Sequence, residues 1–356
     1  MTPTVEDHLP TANTTAGPVF VSIVMPCYNE EKFIEKALAN LCDQYDKEHY
    51  EIIIVDGRST DRTREVIREF GEKRKDVSLK LIDNPDRHIP KALNLGIAAA
   101  RGEIILRMDS HAAPSPGYVR RCVELLSNDT AAVVGMYCQV RPSNDTVTAR
   151  AIAAVVSHPF GIGDASYRLN QKTGQQAVDT VAFGSFRKPL WQKLGGFNES
   201  LLTNEDYDFN YRVRADGGVV LLDRTEYSTY FARGTLSDLV KQYWRYGKWK
   251  ARMIHSQPRS IKWRHLVAPL FVLSLIFLPL LGLWWWPAWI VLGIEAIAYL
   301  GLALYFASKI SRNNDAGLRL TLLLPVVFFT VHITWGSSFL LSFIQPSSTK
   351  GKPLPI

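Results

Sequence analysis

Apolar and polar positions alternate in a repeating order over the first hundred residues. A short apolar run, Val19 to Met25, closes on Pro26 and predicts a buried strand. Asn29 can cap a helix, with Glu30 and Glu31 in its first turn. Phe33, Ile34, Ala37, Leu38 and Leu41 then recur at helical spacing. Glu51 to Val55 predicts a second strand that ends on Asp56 and Gly57. Ser59, Thr60 and Asp61 open another helix, whose inner face carries Val66, Ile67 and Phe70. Val77 to Ile82 predicts a third strand, Pro90 to Ala100 a helix, and Glu103 to Met108 a fourth strand. Strand and helix alternate throughout, which is the order of a mostly parallel, doubly wound α/β sheet.

The pattern changes near residue 264. Leu266 to Leu283 is apolar without a charge, and Trp284, Trp285, Trp286 and Pro287 follow. Such aromatic clusters sit at bilayer interfaces. Ala288 to Ala307 is apolar except for Glu295, and Leu320 to Phe343 is a third apolar run. A bilayer span needs about 20 apolar residues. Three transmembrane helices are therefore expected, at about 266–283, 288–307 and 320–343. Lys309, Arg312 and Arg319 outnumber Asp315 in the connection between the last two, and Arg259 to Arg264 is also basic. By the positive-inside rule both segments are cytoplasmic, and so is the domain before them. Lys350 and Lys352, in the tail 345–356, fit that topology poorly. Glu295 stands either at a helix contact or near a lipid-linked acceptor.

Charge sharpens this picture. Over 356 residues, 41 Lys and Arg against 34 Asp and Glu leave a formal charge of +7. Nucleic acid, anionic lipid and nucleotide phosphates are the acidic partners that suit such a surface. The apolar C-terminal third assigns the charge mostly to a domain beside a bilayer. Cys27, Cys42, Cys122 and Cys138 form neither a Cys-x-x-Cys nor a zinc spacing. They read as reduced, mostly buried thiols of a cytoplasmic domain. The N-terminus shows no basic n-region and no apolar h-region, so no cleavable signal peptide is visible. Residues 1–18, rich in Thr, Pro and Ala, are expected to be a disordered lead-in.

In doubly wound sheets, ligands bind outside the carboxyl ends of the strands. Three polar clusters fall there: Pro26 to Glu30, Asp56 with Gly57, and Asp109-Ser110-His111. An aromatic such as Tyr28 can stack on a base, and a neighbouring carboxylate can accept a hydrogen bond from base or ribose. Asp109 offers a hard oxygen and His111 a borderline nitrogen, a pair that suits Mn²⁺ better than Mg²⁺. Neither a P-loop nor a Gly-x-Gly-x-x-Gly follows the first strand, so those nucleotide-binding modes lose their main support.

Val21-Ser-Ile-Val-Met-Pro-Cys-Tyr-Asn-Glu30, Ile54-Val-Asp-Gly-Arg-Ser-Thr-Asp61, Ala92-Leu-Asn-Leu-Gly-Ile97 and the acidic strand end at Asp109 come in order. Leu194-Gly-Gly-Phe-Asn198, Asn204-Glu-Asp206 and Gln242-Tyr-Trp-Arg245 follow. The series, covering about residues 20–250, resembles the family 2 glycosyltransferases of GT-A fold, most of all the membrane-associated enzymes of bacterial exopolysaccharide assembly. The resemblance implies a GT-A domain over 19–255, a basic interfacial linker at 256–265 and the membrane helices after it.

It also implies roles. Pro26, Tyr28 and Asp56 would contact the base of a nucleotide-sugar, uracil by expectation, with Glu30 near the ribose. Asp109 and His111 occupy the Asp-x-Asp positions of ribose and metal, with Mn²⁺ or Mg²⁺ as cofactor. Asp206 would be the general base, and Gln242 and Arg245 would close over the donor diphosphate. Arg87 and Lys91 are further candidates for the phosphates. Two positions depart from the pattern: His111 stands where the family has Asp, and Tyr246 where it has Trp, with Trp249 close by. The polypeptide GalNAc-transferases carry a similar Asp-x-His that binds manganese.

A single base implies inversion at the anomeric carbon. The expected reaction moves a hexose from a UDP-sugar to a saccharide on a polyprenyl diphosphate in exopolysaccharide or cell-surface glycan synthesis. The enzyme would be multi-pass in the inner membrane, with a cytoplasmic catalytic domain and no nucleic-acid partner. Transfer to polyprenyl phosphate itself and a catalytically silent nucleotide-binding scaffold are the alternatives.

Overall fold

The structure, a computed structural model, describes residues 20–128, 131–169, 174–313 and 317–344. The expected lead-in 1–18 and tail 345–356 lie outside the described residues.

β1 (Val21–Cys27), β2 (Tyr50–Asp56), β3 (Ser78–Asp83) and β4 (Ile104–Arg107) pair in the order β3-β2-β1-β4, all parallel. α1 (Ile34–Leu41), α2 (Thr63–Lys73) and α3 (Ile89–Ala99) connect them. β1 and β2 are buried at every position, as strands covered on both faces must be.

The chain continues through β5 (Ala113–Pro114), α4 (Tyr118–Ser127), β6 (Val133–Pro142), α5 (Val147–Val155) and α6 (Pro159–Ile162). β7 (Gln175–Ala177), β8 (Ser185–Arg187), α7 (Lys188–Lys193), α8 (Glu205–Ala215) and β9 (Val220–Ala232) follow. The sheet extends from β4 through β8, β6 and β9 to β5, with β7 also on β9. The pairs β4/β8, β6/β8, β5/β9 and β7/β9 are antiparallel. The sheet is thus mixed: the parallel order holds for β1–β4 and gives way beyond them.

One expectation at the first loop changes. Asn29 does not cap α1, which begins at Ile34 after Phe33. Its side chain instead accepts from Thr60 N at 2.8 Å, tying the loop after β1 to the loop after β2. All four cysteines are free and buried.

The chain divides into two compact units. The first contains residues 20–139 and 174–230, with most of the sheet; the second contains 140–169 and 231–344. In the second unit α9 (Leu236–Ser256) packs along α12 (Leu318–Ile344). Gly247 makes that approach feasible: a Cβ there would lie 2.5 Å from the Trp335 carbonyl oxygen. α10 (Arg264–Gly282) and α11 (Pro287–Asn313) complete the unit, and α10, α11 and α12 are each long and apolar enough to cross a membrane. Lys309 and Arg312 belong to the last turns of α11 and Arg319 to the first turn of α12, so the connection is shorter than the hydrophobic pattern suggests. Asp315 lies outside the described residues. Glu295 Oε1 accepts from Ser274 Oγ at 2.6 Å, a contact between α11 and α10.

Candidate active site

Register brings the strand ends together. Cys27 pairs with Asp56, and Asp56 with Asp83, so the last residues of β1, β2 and β3 stand side by side. The loops that follow leave ordinary backbone space. Asn29 (φ 54°), Arg58 (57°), Arg87 (57°), Phe183 (53°) and Asn204 (70°) hold left-handed conformations without being glycine. Such backbone costs about 1–3 kcal/mol per residue and gathers where function over-determines it. Each of the five lies beside a residue of the site.

At the end of β1, Pro26 is buried inside the strand, while Tyr28 stands partly exposed after it. Arg87 lies 5.2 Å over the Tyr28 ring and donates to its hydroxyl at 3.4 Å. Gly57 sits beneath that ring, where a Cβ would meet Tyr28 Cδ2 at 3.3 Å. Asp56 is fully buried and already engaged: it accepts from Ser59 N at 3.0 Å, Ser59 Oγ at 2.5 Å and Arg64 Nη1 at 3.3 Å. Arg64 also donates to Asp83 at 3.1 Å, and Arg58 to Asp83 at 2.9 Å. Asp83, the last residue of β3, thus belongs to this cluster. Lys91 is drawn aside into an ion pair with Asp86.

The second cluster forms at the end of β4. Arg107 is buried in the strand, and its guanidinium faces three acids. It donates to Asp109 Oδ1 at 3.1 Å, to Glu205 Oε1 at 3.2 Å and to Asp206 Oδ2. Glu205 and Asp206 come from the first turn of α8, which follows the left-handed Asn204; Asn204 occupies the cap position, but its side chain makes no capping bond. Asp109 and Asp206, 97 positions apart in sequence, therefore meet on one cation. The Asp206 side chain keeps 22% exposure against 6% for Arg107, so the acid is open to a reacting hydroxyl and the cation is not.

Desolvation pushes the Asp206 carboxyl up to about 7; Arg107 pulls against it, while Glu205 and Asp109 add like charge. Burial works against the charge on Arg107, but Asp206, Asp109 and Glu205 outweigh it and hold the guanidinium above its ordinary range. A carboxylate that titrates near neutrality is matched to general-base work.

His111 follows on the turn closed by Ala112 N to Asp109 O at 3.0 Å. Its Nδ1 lies 2.9 Å from Glu30 Oε1. An ionised carboxylate only accepts, so Nδ1 carries the proton and the lone pair falls on Nε2. That is the tautomer of a histidine oriented by a carboxylate toward a metal. Asp109 and His111 supply one oxygen and one nitrogen, and a divalent ion fits them if a diphosphate supplies the rest. Among the described residues no three His, Cys, Asp or Glu side chains gather as a self-contained metal site.

The motif segments further along support this end of the sheet. Asn94 of α3 accepts from Phe197 N at 2.8 Å and donates to Phe197 O at 2.9 Å. Gly195 and Gly196 take φ of 73° and 80°, and a Cβ on Gly196 would press on Asn94 Oδ1 at 2.8 Å. Gln242 and Arg245 lie on α9 in the second unit; Gln242 donates to the Tyr246 hydroxyl at 3.1 Å.

Residues 22–195 match the sequence model of Glycosyl transferase family 2. Over 335 residues the chain is 27% identical to the Methanococcus voltae dolichyl N-acetyl-alpha-D-glucosaminyl phosphate 3-beta-D-2,3-diacetamido-2,3-dideoxy-beta-D-glucuronosyltransferase, covering 93% of this chain and 99% of that one. It is 28% identical to the succinoglycan biosynthesis protein ExoA of Rhizobium meliloti (strain 1021), covering 89% and 93%. A mannosyltransferase of Pyrobaculum calidifontis, solved with GDP-Man and Mn²⁺, shares the fold at a TM-score of 0.58 and 20% identity, over 96% of this chain and 92% of that one. With acids gathered at the carboxyl ends of its parallel strands and that match over residues 22–195, the chain carries a glycosyltransferase family 2 domain of GT-A fold.

Proposed function

We propose that the enzyme transfers a hexose, with inversion, from a UDP-sugar to a saccharide carried on a polyprenyl diphosphate, in exopolysaccharide or cell-surface glycan synthesis. The observation that carries this reading is the convergence of Asp109, Glu205 and Asp206 on Arg107. It supplies one near-neutral carboxylate, open to an acceptor hydroxyl, beside an acid at the strand end where donors bind. The relatives that act on a dolichyl phosphate-linked sugar and in succinoglycan synthesis support the lipid-linked acceptor.

Asp206 accepts the acceptor proton as the hydroxyl attacks the anomeric carbon from the face opposite the diphosphate. Arg107 holds Oδ2, which leaves Oδ1 to receive the proton. Tyr28 offers a stacking face to the base, and Arg87 stiffens that face. Asp109 and His111 would hold Mn²⁺ or Mg²⁺, which when bound neutralises charge on the departing diphosphate. Glu30 fixes the His111 ring. Gln242 and Arg245 keep the role toward the diphosphate that the family motif implies. Three helices long and apolar enough to cross a membrane support an enzyme of the inner membrane whose catalytic domain is cytoplasmic, where nucleotide-sugars occur.

The test is a panel of nucleotide-sugars offered to membranes containing the protein, with and without a lipid-linked saccharide, reading released diphosphate and extracted lipid. Release that needs both a UDP-sugar and the saccharide-bearing lipid is expected. Sugar appearing on bare polyprenyl phosphate, or no release with any donor, would end the proposal.

A further inference from the structure

We propose that α12 is a membrane-surface element seated in one leaflet with α9 along it, so that the chain crosses the bilayer twice and not three times. The proposal rests on the membrane reading above. Its partner is the headgroup layer of that leaflet.

α10 and α11 form a hairpin. Ser274 bonds to Glu295, and the Phe271 and Tyr299 rings stack at 4.6 Å. The turn presents Trp284 and Trp286, 83% and 70% exposed, as an interfacial anchor. The 19 residues of α10 rise about 28 Å, close to the roughly 30 Å of hydrocarbon. The hairpin therefore spans.

α12 meets α10 near the start of that helix: a Cβ built on Gly336 would be 2.6 Å from the Ala268 carbonyl oxygen, and the Phe271 and Phe329 rings are 6.4 Å apart.

α9 packs along α12. Gly247 meets Trp335, Ala251 and Ile254 cluster with Phe339, and the His255 and Phe343 rings are 4.6 Å apart. α9 carries Lys241, Arg245, Lys248, Lys250 and Arg252. A crossing α12 would drag the last of these cations into hydrocarbon, where charge is expensive. At headgroup level the same cations meet lipid phosphates, with Arg252 over the Trp249 ring at 4.5 Å. α12 also shows lipid one face only: Leu318, Leu322, Val326 and Phe329 are exposed, while Leu324, Val327, Phe328 and Val331 are buried. Two crossings also reconcile Lys350 and Lys352 with the positive-inside rule.

The test is topology of the full chain in sealed vesicles. An epitope is appended after Ile356 and exposed to added protease. Lys241→Cys on α9 and Trp284→Cys in the turn are labelled separately with a membrane-impermeant maleimide; the four native cysteines are buried. The epitope is expected to be cut from the side that labels position 241 and protected from the side that labels 284. Cleavage from the 284 side restores a third crossing and overturns the proposal. Positions 241 and 284 labelling from one side would remove the hairpin, and with it the membrane reading beneath.

Discussion

Arg107 decides the behaviour of three acids. Its removal as Arg107→Met leaves Asp109, Glu205 and Asp206 without their shared cation. Breaking a buried pair of this kind costs about 3–5 kcal/mol. A drop in thermal midpoint of several degrees is expected, and an unchanged midpoint would mean the guanidinium is dispensable. Asp206→Asn should lower turnover at least 100-fold, on the order of general-base contributions, while the affinity for UDP stays within a few-fold. Equal loss of both would displace Asp206 from its role. The base works ionised, so turnover should rise with pH through an ionisation near 7. Glu205→Gln removes a like charge and should move that limb to lower pH; a limb that stays put or rises would assign the ionisation elsewhere. Stability carries the opposite sign. A carboxyl raised in the folded state contributes stability that is present in acid and lost as pH rises through about 7. The sequence marks Asp109 by the break that ends its apolar run, and Asp206 only through the family motif that Asn204-Glu-Asp206 resembles. Arg107 hides inside Ile-Ile-Leu-Arg-Met. The signal was available in principle, since a lone cation in a buried strand is seldom buried without partners.

At the scale of elements, periodicity served where elements were long. β1 to β4 and their helices each present several positions of a pattern, and their order follows from it. β5 has two residues, and β7 and β8 have three each, too few to establish alternation. Those three strands were hidden for that reason, whereas β6 and β9, with 10 and 13 residues, were not hidden by length. The lock between α3 and the Gly195-Gly196 turn was legible as motifs but not as a contact. Asn94 satisfies both backbone groups of Phe197, so Asn94→Ala leaves two polar groups unpaired, at roughly 1–3 kcal/mol each. Gly196→Ala adds a Cβ at φ 80° against Asn94, at a cost of about 1–2 kcal/mol for the backbone alone. Both variants are expected to unfold at lower temperature than the parent in a thermal melt. A parent-like Gly196→Ala would show that the turn can relax.

Across the whole molecule, composition announced a basic protein with an apolar end but not how the chain divides. Residues 140–169 group with 231–344 through contacts distant in sequence, which no local pattern records. The division gives the +7 a location: α9 alone carries five Lys and Arg between 241 and 252. Each cation near an anionic surface is worth about 1 kcal/mol, and screening removes this within a Debye length. Reconstituted in vesicles with about 30% anionic lipid, the enzyme should turn over lipid-linked acceptor several-fold faster than in neutral vesicles. Raising salt should erase the difference. Lys248→Gln, with Arg252→Gln beside it, should reduce the lipid dependence. A rate indifferent to lipid charge would mean that α9 meets the bilayer through its aromatic rings alone, and the basic face would then be an ordinary solvated one.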